Sequence, residues 1–366
     1  MFLLCKIYIV LNIICIEVFV ICSYNNCIWH INLRISYLCV GSLMKKEGIW
    51  EMTAQVNPQA KPKVKANKGW FTRDWRLYVM LILPVAFYLI FCYKPMVGLI
   101  IAFQKYNMFK GMWGSKFIGL ENFRFVMSMP DFPVALKNTL LLNFMGLIAG
   151  FPVPIVLAIM LNEVKAIRFK KVSQTLLYLP HFLSWIIIGG MVLQIFSPAT
   201  GIINALLLKW GWIDKSIPFL TDGPHWQATY TLVGVWQSMG WGTILYLSAI
   251  TGINMELFEA AKIDGANKMQ QIWHVTLPGI RSTIVVLLIL NVGQMMNISF
   301  DRPYIMGNPM VQDYCDVLST FVYRAGITNS QFARATAIGL FQSVVGLILI
   351  STANFVTKRL GEDGIW

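Results

Sequence analysis

Several things are missing from this chain, and each absence closes a route. No Gly-x-x-x-x-Gly-Lys-Ser/Thr run occurs, so the chain does not hold ATP through a P-loop. His-Glu-x-x-His and Gly-x-Ser-x-Gly are absent too, which removes the common zinc-protease and serine-hydrolase readings. The four histidines, His30, His181, His225 and His274, are scattered without an evident shared partner. His181 and His274 are read as ordinary packing or solvation residues on short cytoplasmic stretches. Cysteine is sparse after residue 43: Cys5, Cys15, Cys22, Cys27 and Cys39 crowd the start, leaving Cys92 and Cys315. No Cys-x-x-Cys or Cys/His spacing supports a metal site or a disulfide framework. Charge is the scarcest commodity, at 13% of residues against about 25% in soluble domains.

Apolar residues fill the gap, at 57% of the chain. Runs near 20 residues recur, long enough to cross a hydrocarbon core about 30 Å thick as helices. The composition predicts an all-α polytopic membrane protein. A net charge of +13 would point to nucleic acid in a soluble chain, but cytoplasmic ends of membrane helices collect Lys and Arg. No nucleic-acid partner is expected.

The hydropathy pattern predicts spans near 77–101, 137–162, 173–196, 229–250, 282–300 and 336–357. Lys94 lies near the end of the first, and the other five carry no internal charged residue. Lys61, Lys63, Lys65, Lys68, Lys165, Lys170, Lys171, Lys262, Lys268, Lys358 and Arg359 are among the cations that place both termini and loop 251–281 in the cytoplasm. Residues 52–76 read as a basic cytoplasmic tail and 77–366 as the permeation domain. Aromatic residues mark the outer loops: Phe109, Trp113, Phe117, Phe123 and Phe125 in 103–136, and Trp210, Trp212, Phe219 and Trp226 in 197–228. Interfacial anchoring at lipid headgroups accounts for most of them, and contact with an external solute receptor is compatible with it.

Residues 1–51 stand apart. Residues 2–22 are apolar enough for a seventh span, although Lys6 and Glu17 interrupt them, and no small-residue cleavage site makes them a good signal peptide. Lys46-Glu47-Gly48 can be encoded as a ribosome-binding sequence just ahead of Met52, and cysteine usage changes abruptly there. Translation is therefore expected to begin at Met52.

The most specific pattern is residues 259–278, EAAKIDGANKMQQIWHVTLP. A helical start, a glycine break at Gly265, a second helical stretch and a proline stop describe two short helices at an angle. Glu259 is read as lying at the first helix's start, where a carboxylate suits the positive end. Ala260 and Ala261 are small enough for close approach, and Ile272, Trp273 and Val275 are expected to give the second helix an apolar side. Pro278 is expected to open the next span without needing an N–H partner. An amphipathic helix lying on lipid would explain the amphipathicity but not the whole spacing.

This stretch resembles the EAA loop of permease subunits of binding-protein-dependent ABC importers, matching throughout with Val275 at the aliphatic position. The resemblance covers roughly residues 70–366. Residues 93–123 are similar to the first-span exit of sugar permeases, and residues 335–366 to the branch that includes LplB-type permeases, associated with oligo- or polysaccharides. The likeness implies a six-helix type I importer core in a bacterial cell membrane, with no cofactor of its own and ATP used by partner subunits. It also implies a second related permease, two ATPase copies and an external solute-binding protein. Carried over by position, Glu259, Ala260, Ala261, Asp264, Gly265, Leu277 and Pro278 would couple the chain to the ATPase.

A solute route is expected where polar and aromatic groups interrupt apolar spans. Trp236, Gln237, Ser238, Trp241 and Tyr246 do so in the fourth span, and Asn291, Gln294 and Asn297 in the fifth, spaced by three to share a helix face. Helix–helix hydrogen bonding explains such residues equally well. Indoles beside amides suit an uncharged glycan, and no charged residue is required there. In the resembling permeases these two spans contact sugar. Gly146 and Gly150 read as plain helix packing. The expected function is import of a carbohydrate, an oligosaccharide by preference. The alternatives are the same machine carrying an amino acid, a peptide or phosphate, or a secondary transporter. The last would need intramembrane carboxylates or broken-helix ion sites.

Overall fold

The computed structural model describes residues 75–359 and 361. The described residues from Ile82 onward belong to one compact unit. The readings made for residues 1–51, a seventh span or a start at Met52, lie outside the described residues.

Helix α1 runs Trp75–Tyr88 and passes through a π turn, Leu89–Tyr93, and a 3-10 stretch, Val97–Phe103. A small antiparallel hairpin follows, β1 (Gln104–Lys105) on β2 (Lys116–Phe117), with Gln104 opposite Phe117. Asn122 holds it, donating to the carbonyls of Ala102 at 2.8 Å and Gln104 at 2.9 Å. Asn122 belongs to α2, Glu121–Ser128. The hairpin tip carries the exposed aromatics Phe109 and Trp113.

Helices α3 (Asp131–Gly150) and α4 (Pro152–Glu163) form one apolar span. The expected start at 137 was late because residues 131–136, which open with charged Asp131, already belong to the helix. Helices α5 (Ile167–Tyr178) and α6 (Trp185–Phe196) were expected as one span. They bend by 100° at a break of Pro180, His181 and an N-cap at Ser184. After the short α7 (Ile202–Lys209) comes α8, Gly223–Thr251, capped by Asp222 accepting from the His225 N–H.

Helix α8 is 29 residues long, about 43 Å at 1.5 Å per residue. Among the described residues three helices are apolar and long enough to cross a membrane, and two bent pairs would bring that to five. Helix α8 falls short in hydropathy because so many of its small and polar residues face other helices, with Gln227, Thr229, Thr231 and Thr243 buried. Trp226, expected in an outer loop, is fully buried on α8 and donates to the Met306 carbonyl at 2.8 Å.

The remaining helices are α9 (Met255–Ile263), α10 (Lys268–Gln271), α11 (Arg281–Gly293), α12 (Asp301–Met306), α13 (Leu318–Tyr323) and α14 (Phe332–Arg359). Three apolar clusters join them. One centres on Trp226, Ile188 and Val311; a second on Phe132, Phe321 and Ile338; a third on Ala158, Tyr246 and Ile280. Segment 308–320 is stitched to α3, with Asn138 donating to the Asp313 and Asp316 carbonyls at 2.8 and 3.0 Å. Thr139 Oγ1 accepts from the Leu318 N–H at 2.9 Å.

Candidate functional site

The loop between α8 and α11 is built by capping. Asn254 caps α9, its side chain accepting from the Glu256 N–H at 3.0 Å. Helix α9 therefore starts four residues before Glu259, so the carboxylate favoured by the positive helix end is Glu256 and not, as expected, Glu259. Gly265 ends the turn in the left-handed conformation, at φ +79°. The Ala266 N–H closes it on the Ala261 carbonyl at 2.8 Å, as helix C-termini do around a glycine. Asn267 and Gln270 then form a reciprocal capping box for α10, with bonds of 2.7 and 2.9 Å. That Asn-x-x-Gln signal stands in the sequence and passed unread.

The second arm continues through a π turn, Ile272–Thr276, into Leu277–Gly279, then bends 60° into α11. Pro278 thus sits in the last turn before the bend, two residues ahead of Ile280, and does not open the next span. The π turn fits a proline that supplies no N–H to the preceding turn. The buried side of this arm is Gln271, Thr276 and Ile280, whereas Trp273, expected on an apolar packing face, is exposed. Glu259, Ala260, Asp264 and Gly265 are exposed as well, and Ala261 and Leu277 half-buried. Ile263 is 86% exposed, so the α9 end offers apolar surface beside those small residues. Lys268 ties the second arm to the end of α4 through Glu163 at 2.7 Å.

A cavity of about 410 Å³ lies between α3, α4, α8 and α11, within the range of small-molecule sites. It brings together Trp241, Tyr246, Asn291, Gln294 and Asn297, which the sequence singled out, with Ser238 beside them. Trp236 and Gln237 do not line it. Trp236 lies about 140° around α8 from Trp241 at 100° per residue, and Gln237 donates to the His181 carbonyl at 3.4 Å. The amides do not share a helix face either. Helix α11 ends at Gly293, and Gln294 and Asn297 lie in the tight turns that follow. Asn143 Nδ2 pins those turns, donating to the Met295 carbonyl at 2.7 Å.

Asn143, Tyr230 and Arg302 were missed. His181 is a packing residue, stacked on Trp241 with centroids 4.9 Å apart and planes 10° apart. Arg302, placed in an outer loop by hydropathy, reaches into the cavity, so the expected uncharged lining is wrong. Gly146 and Gly150 both line the cavity; Gly150 also packs on Val235, whereas a side chain at Gly146 would meet open space. An asparagine three residues before a glycine inside an apolar span was the available signal for Asn143. Nothing local marked Arg302.

The inner membrane component of binding-protein-dependent transport systems matches residues 132–362 of the chain. Protein LplB of Bacillus subtilis strain 168 is 40% identical over 310 residues, covering 83% of this chain and 97% of its own. The polygalacturonan/rhamnogalacturonan transport system permease protein YteP of the same organism is 43% identical over 290 residues, covering 79% and 90%. A chain of a bacterial alginate ABC transporter, crystallised in complex with an alginate pentasaccharide-bound periplasmic protein, superposes with a TM-score of 0.73 at 38% identity. That match covers 80% of this chain and 98% of the other. Helices long and apolar enough for a membrane, a capped helix–glycine–helix loop and a match over well over half the length agree. The chain belongs to the family of binding-protein-dependent transport system inner membrane components.

Proposed function

We propose that this chain is the permease of an ABC importer that carries an oligosaccharide, with the described cavity on the solute's route. The observation that carries the reading is the pairing of two features in one fold. The cavity sets an indole, Trp241, against the amides of Asn143, Asn291 and Asn297, the combination of a stacking face and hydroxyl-binding groups that sugars require. The loop meanwhile presents Glu259, Ala260, Asp264 and Gly265 to solvent, together with exposed Ile263. Such a surface fits a partner protein that approaches the backbone closely, with Gly265 setting the angle between the arms.

In this reading an ATPase subunit takes the loop in a cleft, and its ATP-driven movement passes through α9 and α10 into α8 and α11. A second permease completes the pore, and an external binding protein delivers the solute. Both termini and loop 251–281 face the cytoplasm. The relatives named for oligo- and polysaccharide systems support the sugar assignment over an amino acid, a peptide or phosphate.

Gly265→Pro and Glu259→Lys test the coupling half. Both variants are expected to reach the membrane at normal levels and to lose uptake at least tenfold, with ATP hydrolysis no longer responding to solute. Unchanged uptake in both would overturn the assignment.

A further inference from the structure

Arg302 is the charged residue of the cavity lining among the described residues. It stands at the second position of α12, just beyond the turns that carry Gln294 and Asn297. Its guanidinium lies over the Tyr230 ring, 3.6 Å from the centroid, and 5.1 Å from that of Trp185. One Nη2–H donates to the Tyr230 carbonyl. The approach is close enough that a Cβ on Gly234 would run into the guanidinium, so α8 is glycine where the cation crosses it.

The pairing is incomplete. A guanidinium has five N–H donors and keeps its charge at any physiological pH. The side chain is half-buried, and its Nε is enclosed with no hydrogen-bond partner. Among the described residues no carboxylate forms an ion pair with it. Arg324 shows the ordinary solution in the same fold: it meets Asp316 at 2.6 Å and Asp131 at 3.5 Å. A ring face and one carbonyl return only part of the solvation a cation loses on burial, and an enclosed cation is normally paired.

We infer that the cavity takes an oligosaccharide bearing carboxylates, a uronate, and that Arg302 binds a carboxylate of the passing chain while Trp241 and the amides hold its rings and hydroxyls. The planar fork of arginine matches a carboxylate with two parallel bonds, which a lysine cannot reproduce. Tyr230 and Gly234 hold the fork against α8. The inference rests on the proposed role of the cavity as a solute route and adds the sign of the solute's charge to it.

The test uses the assembled transporter, with partner permease, ATPase and binding protein, in proteoliposomes. It is offered trisaccharides of galacturonate, mannuronate and guluronate, their methyl esters, and neutral gluco-, galacto-, arabino- and xylo-trisaccharides. Wild type is expected to import at least one uronate, with esterification lowering uptake at least tenfold. Arg302→Gln should lose uronate uptake at least tenfold while sparing whatever ester or neutral uptake wild type has, and Arg302→Lys should fall between. Import of neutral trisaccharides with refusal of every uronate overturns the inference but leaves the importer reading standing. So does an Arg302→Gln loss equal across all solutes, or no loss at all. Should Arg302→Gln fail to reach the membrane, the wild-type preference and Arg302→Lys decide. Failure to import any saccharide would instead remove the proposed function itself.

Discussion

Two side chains outside the loop carry the sharpest residue-scale expectations. Trp241 is 46% exposed and faces the cavity with His181 stacked on its other side. Stacking between aromatic rings is worth about 0.5–1.5 kcal/mol beyond area burial; with a similar gain from a sugar face, Trp241→Ala should lower uptake at subsaturating solute about two- to tenfold. Trp236→Ala, outside the lining, should leave it within about twofold in the same transport assay. Cys315 is buried on the segment after α12, and burial pushes its thiol from 9.0 up to about 11. At pH 8 about one thiol in a thousand would be ionised, and the thiolate is the nucleophile. Peptide mapping after alkylation of the native protein should therefore find Cys315 unmodified. The sign of the linkage follows: the native thiol holds its proton more tightly than the unfolded one. Its contribution is complete below pH 9.0 and is lost as pH rises toward about 11.

At the scale of elements, the segment between α12 and α13 depends on a few polar anchors. Asp316 is buried, accepts from Thr320 Oγ1 at 2.7 Å and pairs with Arg324 at 2.6 Å. Asp316→Ala leaves Arg324 with Asp131 alone, at 3.5 Å, and removes its shorter charged hydrogen bond, so it should cost about 1.5–3 kcal/mol, read as a fall in Tm of the purified assembly, whereas Thr320→Ser should cost under about 1 kcal/mol. The Lys268–Glu163 bridge is different in kind, since both side chains are more than a third exposed. Its removal by Glu163→Gln should change stability by no more than about 1 kcal/mol. If the second arm of the loop moves with the end of α4, the same change should still weaken solute-stimulated ATP hydrolysis. Local signals explain what was readable here. Asn254, Gly265 and the Asn267–Gln270 box act within a few residues of themselves, so the helix–glycine–helix reading survived folding. The misplaced start of α9 came from placing Glu259 in the first turn and overlooking Asn254, five residues earlier, as the N-cap.

For the whole molecule, embedding in a membrane followed from the chain alone. Apolar runs and the shortage of charge hold whatever the packing, because lipid solvates only helices that satisfy their own backbone. The coupling-type loop was equally legible, since caps and a left-handed glycine are interactions of near neighbours. The broken spans were not: the 100° bend between α5 and α6 and the end of α11 at Gly293 depend on neighbours such as α8 and Asn143 that no local window contains. The cavity is the extreme case. Asn143, Trp241 and the stretch from Asn297 to Arg302 are separated from one another by scores of residues and meet only because α3, α8 and α11 pack with one particular set of faces inward. Hydropathy assigned Arg302 to an outer loop because a charge is costly in lipid, and that rule weighs each residue against solvent rather than against its neighbours. Tertiary structure lays the same cation on Tyr230 beside the amides. The sequence therefore settled that the chain lies in a membrane and that loop 251–281 is a helix–glycine–helix, both written in short-range chemistry. The charge and shape of the cavity arise from long-range packing, and only the folded arrangement of helices decided them.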